Sequence, residues 1–172
     1  MAKGYIIESK IQAKDVEALN GTGTCSTDLD GGTLVSLGAY SKGVVTLTKS
    51  ASGQGLAMVY NPSEHLTKVG NEVYAGLTAD PREYTNIAGR PVDYCILKVG
   101  DKVVLTDGNI AASQTITEGK YLEQESGGFT VKASATASTT SFKVLEIQDI
   151  PFPQKGIGNE YAKGYLVECV AN

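Results

Sequence analysis

Gly89-Arg90-Pro91-Val92-Asp93-Tyr94-Cys95-Ile96-Leu97-Lys98-Val99-Gly100-Asp101-Lys102-Val103-Val104-Leu105-Thr106-Asp107-Gly108-Asn109-Ile110 is the most strand-like passage of the chain. Val92, Tyr94 and Ile96 alternate with Asp93, Cys95 and Leu97, and Val103 and Leu105 alternate with Val104 and Thr106. Runs of β-branched and aromatic residues bounded by Gly and Asp read as strands. Lys98 to Lys102 separates them, with Gly100 free to take positive φ, so the two segments are expected to pair as an antiparallel hairpin. Asp107-Gly108-Asn109 ends the second strand in a further turn. The passage sets a β fold and names no catalytic group.

The pattern continues on both sides. Gly4 to Ile11, Leu34 to Leu37, Val44 to Thr48, Leu56 to Tyr60 and Glu72 to Leu77 read as strands, followed by Ala112 to Thr117, Lys120 to Glu123, Gly128 to Ala133, Ser141 to Ile147 and Gly164 to Val170. Gln12 to Gly23 is open between one or two helical turns and an extended arm. Gly21 to Thr33 reads as a loop, and Pro151-Phe152-Pro153 as a break in regular structure. Glu125-Ser126-Gly127-Gly128 reads as a tight hairpin.

Short strands at about 8–12-residue spacing with little helix predict a mainly β fold, a small barrel or sandwich of short antiparallel strands with extended termini. The divisions drawn are an N-terminal arm (1–20), a first β region (21–88), a second (89–150) and a C-terminal loop and strand (151–172). One single domain over 21–172 is the alternative.

A chain of 172 residues buries about 70% of its unfolded surface and needs no disulfide or metal to fold. Twenty glycines against five prolines fit many tight turns, and nine tyrosines with no tryptophan make Tyr the main aromatic for half-exposed positions. The net charge of −4 and a pI of about 5.0, with no basic stripe, point away from a duplex nucleic-acid partner. Cys25, Cys95 and Cys169 are odd in number, far apart and without a CxxC pair, so free thiols are expected, as in a reducing cytoplasm, and Cys95 and Cys169, in apolar strand-like runs, read as small buried hydrophobes. Met1 to Lys10 has neither the apolar core nor the cleavage site of a secretory leader, and no apolar run approaches the roughly 18–20 residues of a membrane span.

Motifs for chemistry fail on their spacing. His65 is the one histidine, follows Asn61-Pro62 in a turn, and no GxSxG accompanies it. Asp28-Leu29-Asp30-Gly31 opens like a calcium loop, but the twelfth position is Ala39 rather than Glu. Gly21-Thr22-Gly23 and Gly53-Gln54-Gly55 lack the Lys-Ser/Thr of a phosphate-binding loop. The carboxylates Glu123 and Glu125, and Asp101 and Asp107, lie in or beside strands and read as surface charge. No cofactor, metal or catalytic residue is expected. The tyrosines 40, 60, 74, 84, 94 and 165 are open between core packing and interface anchoring.

Three passages carry a family resemblance: Met1-Ala2-Lys3-Gly4, Asp28 to Gly38 (DLDGGTLVSLG), and Gly89 to Val103, where a strand runs into a Gly-Asp-x-Val turn and a further strand. On these the chain resembles the decoration or auxiliary capsid proteins of tailed bacteriophages. The resemblance implies a non-enzymatic virion protein, made in the host cytoplasm. Its partner would be the major capsid protein, bound on the capsid exterior at junctions between subunits, by a homo-oligomer with no nucleic-acid or membrane partner. Under that reading the expected interface residues are Tyr5, Ile6, Ile7, Tyr40, Pro151, Phe152, Pro153 and Tyr165, with the N-terminal arm and the Pro151–Asn159 loop ordering on the capsid. The alternatives are a head-fibre base or tail component, a carbohydrate- or surface-binding β module, and a small hydrolase using His65.

Overall fold

The computed structural model describes residues 3–49, 55–78, 80–125, 130–153 and 159–172. The Ser50–Gly53 part of the expected small-residue loop, the Ser126–Gly128 turn and the tip of the Pro151–Asn159 loop lie outside the described residues. In chain order the strands are β1 (Ile6–Lys10), β2 (Asn20–Thr24), β3 (Leu34–Ser41), β4 (Val44–Lys49), β5 (Ala57–Val59), β6 (Leu66–Val69), β7 (Glu72–Ala75), β8 (Pro91–Ile96), β9 (Lys102–Thr106), β10 (Tyr121–Gln124), β11 (Val131–Ser134), β12 (Ser141–Pro153) and β13 (Asn159–Ala171). The fold is mainly β and contains a closed barrel, as the strand spacing predicts.

The barrel runs β2-β4-β3-β5-β8 and closes on β2, with β2 and β4 parallel and every other pair antiparallel. A six-stranded antiparallel sheet runs β1-β9-β13-β12-β10-β11, and β6 and β7 form a hairpin of their own. The pairing therefore groups residues 20–96 in the barrel and residues 6–10 and 102–171 in the sheet, apart from the hairpin.

The expected hairpin of the Gly89–Ile110 passage does not form. Both strands and their alternation are present, but β8 pairs with β2 and β5, and β9 pairs with β1 and β13. The reason is the Lys98–Asp101 turn. Asp101 is 1% exposed; one carboxylate oxygen accepts from Lys98 N and the other from Gln12 N, each at 2.8 Å. Gly100 N donates to Cys169 O while Cys169 N donates to Asp101 O, both at 2.8 Å. The turn is thereby bonded into the sheet's last strand, and the chain crosses from barrel to sheet instead of doubling back.

The alternation then sorts side chains between two cores. Val92, Tyr94 and Ile96 face the barrel interior with Cys25, Leu29, Val35, Leu47, Ala57 and Val59. Cys95 and Leu97 face the other way, joining Leu34, Met58, Leu105, Leu122, Phe142 and Val167 in a core shared by barrel and sheet. Leu34 and Val35, neighbours in β3, belong to different cores, as period 2 requires.

One open reading is resolved and three further expectations are corrected. Residues 12–19 form two short 3-10 turns, Gln12–Asp15 and Glu17–Leu19. Asn20–Thr24 is a strand rather than loop, because its glycines permit close approach: a Cβ on Gly23 would come within 2.6 Å of Leu47 Cγ. Ala112–Thr117 contains no strand. Pro151 and Pro153 do not end β12, which stays in register with β13 through Pro153↔Asn159. Beyond residue 144 β12 pairs with β13 on one side only, so prolines two apart can both turn their hydrogen-free nitrogens to the unpaired side.

Candidate interaction surface

The residues expected at an interface separate into buried and exposed sets. Ile6 is 1% exposed, and its backbone is held at both ends by one side chain: Ile6 N donates to Asn61 Oδ1 at 2.9 Å and Asn61 Nδ2 donates to Ile6 O at 2.6 Å. The N-terminal segment is accordingly an integral strand rather than a free arm. Phe152 is also buried, with Tyr5 packed edge-on at 5.6 Å between ring centroids and the Arg82 guanidinium 4.5 Å above its ring. Arg82 is fixed there by Asp80, 2.7 Å from its Nη2. Tyr165 is half-buried and donates to Asp107 Oδ1 at 2.8 Å; burial, reinforced by Asp107, pushes its hydroxyl up to about 12. Ile7, Tyr40 and Pro151 are exposed, Tyr40 at 73%. The side chain of Pro153 lies outside the described residues.

Sequence reading missed Tyr161, 67% exposed near the distal end of the β12–β13 ribbon, and the apolar residues Val69, Val73 and Leu77 on and beside the β6–β7 hairpin. Tyr161, Val69 and Val73 lie in strands whose period suggests one buried face, so exposure on both faces is invisible until the neighbours are known.

Barrel and sheet are latched by short polar side chains that bond to backbone. An Asn amide carries N–H donors beside a carbonyl acceptor, as a peptide group carries one of each, and can stand in for a neighbouring strand. Asn61 does so for Ile6. Asn109 accepts from Thr106 N at 3.0 Å and donates to Gly31 O at 2.6 Å. Asn172 accepts from Leu56 N at 2.9 Å and donates to Leu56 O and Leu97 O at 3.0 and 2.9 Å. With Asp101, these groups join the two β units at four separate places.

The residues considered for chemistry hold structural contacts. His65 stacks on Tyr84 at 4.7 Å with an interplanar angle of 11°, and Tyr84 donates its hydroxyl to Thr78 O at 3.0 Å. Glu123 pairs with Lys132 at 3.3 Å, Glu125 accepts from Thr130, and Asp107 holds Tyr165. Asp28, from the failed calcium pattern, pairs with Lys68 of β6 at 2.7 Å. Burial pushes the Asp28 carboxyl up, but Lys68 and the Ala88 N–H outweigh it and hold it below its usual value. A cleft of about 420 Å³ lies between residues 62–66 and 85–93 and is spanned by an Arg90–Glu64 ion pair at 2.9 Å. Among the described residues no cluster of three or more His, Cys, Asp or Glu is placed to hold a metal, and no helix is long and apolar enough to cross a membrane.

All three cysteines are free and buried. Burial pushes the thiols of Cys95 and Cys169 up to about 11. Since the thiolate is the nucleophile, native protein at neutral pH is expected to resist iodoacetamide at these two positions and to react at both once unfolded in denaturant. Intact-mass measurement counts the adducts; rapid native labelling of Cys95 or Cys169 would contradict the burial.

No family model, curated protein or solved structure matches the chain.

Proposed function

We propose that the chain is a non-enzymatic structural protein of a bacteriophage virion, which binds the outer surface of the capsid and stabilises contacts between capsid subunits. The resemblance of the Met1–Gly4, Asp28–Gly38 and Gly89–Val103 passages motivates the reading. The observation that carries it is the presentation of exposed tyrosines from two units on one body: Tyr40 on the β3–β4 hairpin of the barrel and Tyr161 on the ribbon of the sheet, joined through a shared core and four polar latches. A protein that bridges a subunit boundary needs two anchoring points that cannot move independently. Tyrosine suits both, because a rigid ring supplies contact area while its hydroxyl remains hydrated or bonded.

The direct test is the copy number of the chain in purified virions, by quantitative mass spectrometry. A number comparable to that of the major capsid protein is expected, and absence from the particle overturns the reading. In co-sedimentation with purified capsids, Tyr40→Asp and Tyr161→Asp should each weaken binding by about 1–2 kcal/mol, roughly 5- to 30-fold in Kd, and the double variant more strongly. Undiminished binding by the double variant would remove these tyrosines from the contact. Deleting Met1–Lys14 is a poor probe of binding, since it removes β1 and the buried Ile6.

A further inference from the structure

We infer that the outer edge of β7 pairs antiparallel with β7 of a second copy, so that the chain dimerises by extending its two-stranded hairpin into a four-stranded sheet. The argument begins with which backbone groups face outward. Gly76 N donates to His65 O at 3.0 Å, which makes His65 and Gly76 a hydrogen-bonded pair. Such pairs alternate along an antiparallel ladder, so Thr67/Tyr74 and Val69/Glu72 are the next two. Tyr74 and Glu72 thus point their N–H and C=O groups at β6, and Val73 and Ala75 point theirs away from it. The same parity turns Leu66 outward on the opposite edge, where its carbonyl accepts from Thr85 N at 3.0 Å.

Open strand edges are normally blunted by prolines, lysines, bulges or covering groups. Among the described residues, four other strand edges follow that rule. On β1, Asn61 covers Ile6 and a bulge follows Glu8. On β11, Ala111 N donates to Val131 O and Gln114 accepts from Ala133 N. On β12, residues 119 and 120 bond Val144, Glu118 accepts from Ile147 N, and Pro151 and Pro153 follow. On β3, the register shifts between Leu37 and Tyr40. By contrast β7, Glu72-Val73-Tyr74-Ala75, is exposed throughout, pairs without a bulge, and contains neither Pro nor Lys. Its Val73 and Tyr74 are 38% and 41% exposed.

The strand is also complementary to itself. Setting Val73 against the second copy's Ala75, and the reverse, joins all four outward groups of each strand in four N–H···O bonds. Tyr74 then meets its counterpart across the two-fold axis as a non-hydrogen-bonded pair, where facing side chains come closest and aromatic pairs are favourable. Glu72, the one charge on β7, faces Gly76 rather than its own copy. Because the far edge of the hairpin is bonded to Thr85, addition stops at two copies and yields a closed dimer rather than a filament.

The test is sedimentation equilibrium of the full chain, and its readout does not involve the capsid. An interface of one short strand per copy is small, so dimer formation is expected over about 10–500 µM. Ala75→Pro removes an outward N–H and sets a ring on the edge while leaving the bonds to β6, and is expected to weaken dimerisation at least about tenfold. Ala75→Ser, which keeps the N–H, should dimerise as the parent does. Should Ala75→Pro fail to fold by circular dichroism, Tyr74→Lys places like charges across the axis and is likewise expected to be monomeric. A parent chain that is monomeric over the whole range overturns the proposal and leaves the edge to a strand of another protein. A dimer that persists in a folded Ala75→Pro or Tyr74→Lys variant overturns it as well.

Discussion

Asp101→Ala is expected to destabilise the fold by about 2–6 kcal/mol, because it strips two backbone N–H groups of a buried carboxylate acceptor and each such loss costs about 1–3 kcal/mol. The groups are those of Lys98 and Gln12, both 2.8 Å from the carboxylate. They come from opposite sides of the junction: Lys98 follows the last barrel strand and Gln12 follows the first strand of the sheet. Removing the carboxylate therefore releases the crossing between the two units as well as a turn. Asp101→Asn is the informative companion. Its single carbonyl oxygen can serve one N–H, while its NH2 group opposes the other, so an intermediate loss is expected. Urea or guanidinium unfolding measures both variants. A loss below about 1 kcal/mol for the alanine variant would mean that water replaces the carboxylate and that the junction is not buried as described.

The second large effect belongs to Phe142→Ala, with an expected cost of about 3–5 kcal/mol. Phe142 is fully buried in the core common to barrel and sheet, where it is paired across β12 with Leu122 and Cys169. The cavity would open among residues of both units. Leu34, Met58, Cys95 and Leu97 come from barrel strands or their ends, and Leu105, Val144 and Val167 from the sheet. Barrel and sheet should consequently lose stability together, in one cooperative transition whose midpoint falls while its slope stays constant. Two separated transitions, with only one displaced by the substitution, would show that the shared core does not couple the units. Phe142→Leu retains much of the volume and is expected to cost about 1.5 kcal/mol or less.

Both effects arise within or beside the passages most legible as strand, yet neither could be assigned from the sequence. The alternation of Val92, Tyr94 and Ile96 against Cys95 and Leu97 is a local property of the chain, and the structure keeps it. That the two faces enter different cores depends on what lies on each side of β8. The Asn latches are hidden for the same reason: Asn61 and Ile6 are 55 residues apart, and an Asn before a Pro reads as a turn until a strand's edge is brought against it. Among the expected contact residues, Tyr40 is exposed whereas Ile6 and Phe152 are buried, because Ile6 lies on β1 against the core and Phe152 is covered by Tyr5 and Arg82.

The sequence by itself determined the class of fold, the position of most strands, and the burial of Cys95 and Cys169. These follow from periodicity, turn residues and the transfer of apolar side chains from water, which act over a few neighbouring residues. Only the tertiary structure decided which strands pair, that Pro151 and Pro153 continue a strand, and that β7 is exposed at all four of its residues. Strand pairing is non-local: the inward and outward pattern of a strand is the same whichever partner it takes. In the Gly89–Ile110 passage the choice fell to two backbone N–H groups, those of Lys98 and Gln12, that met at one buried carboxylate.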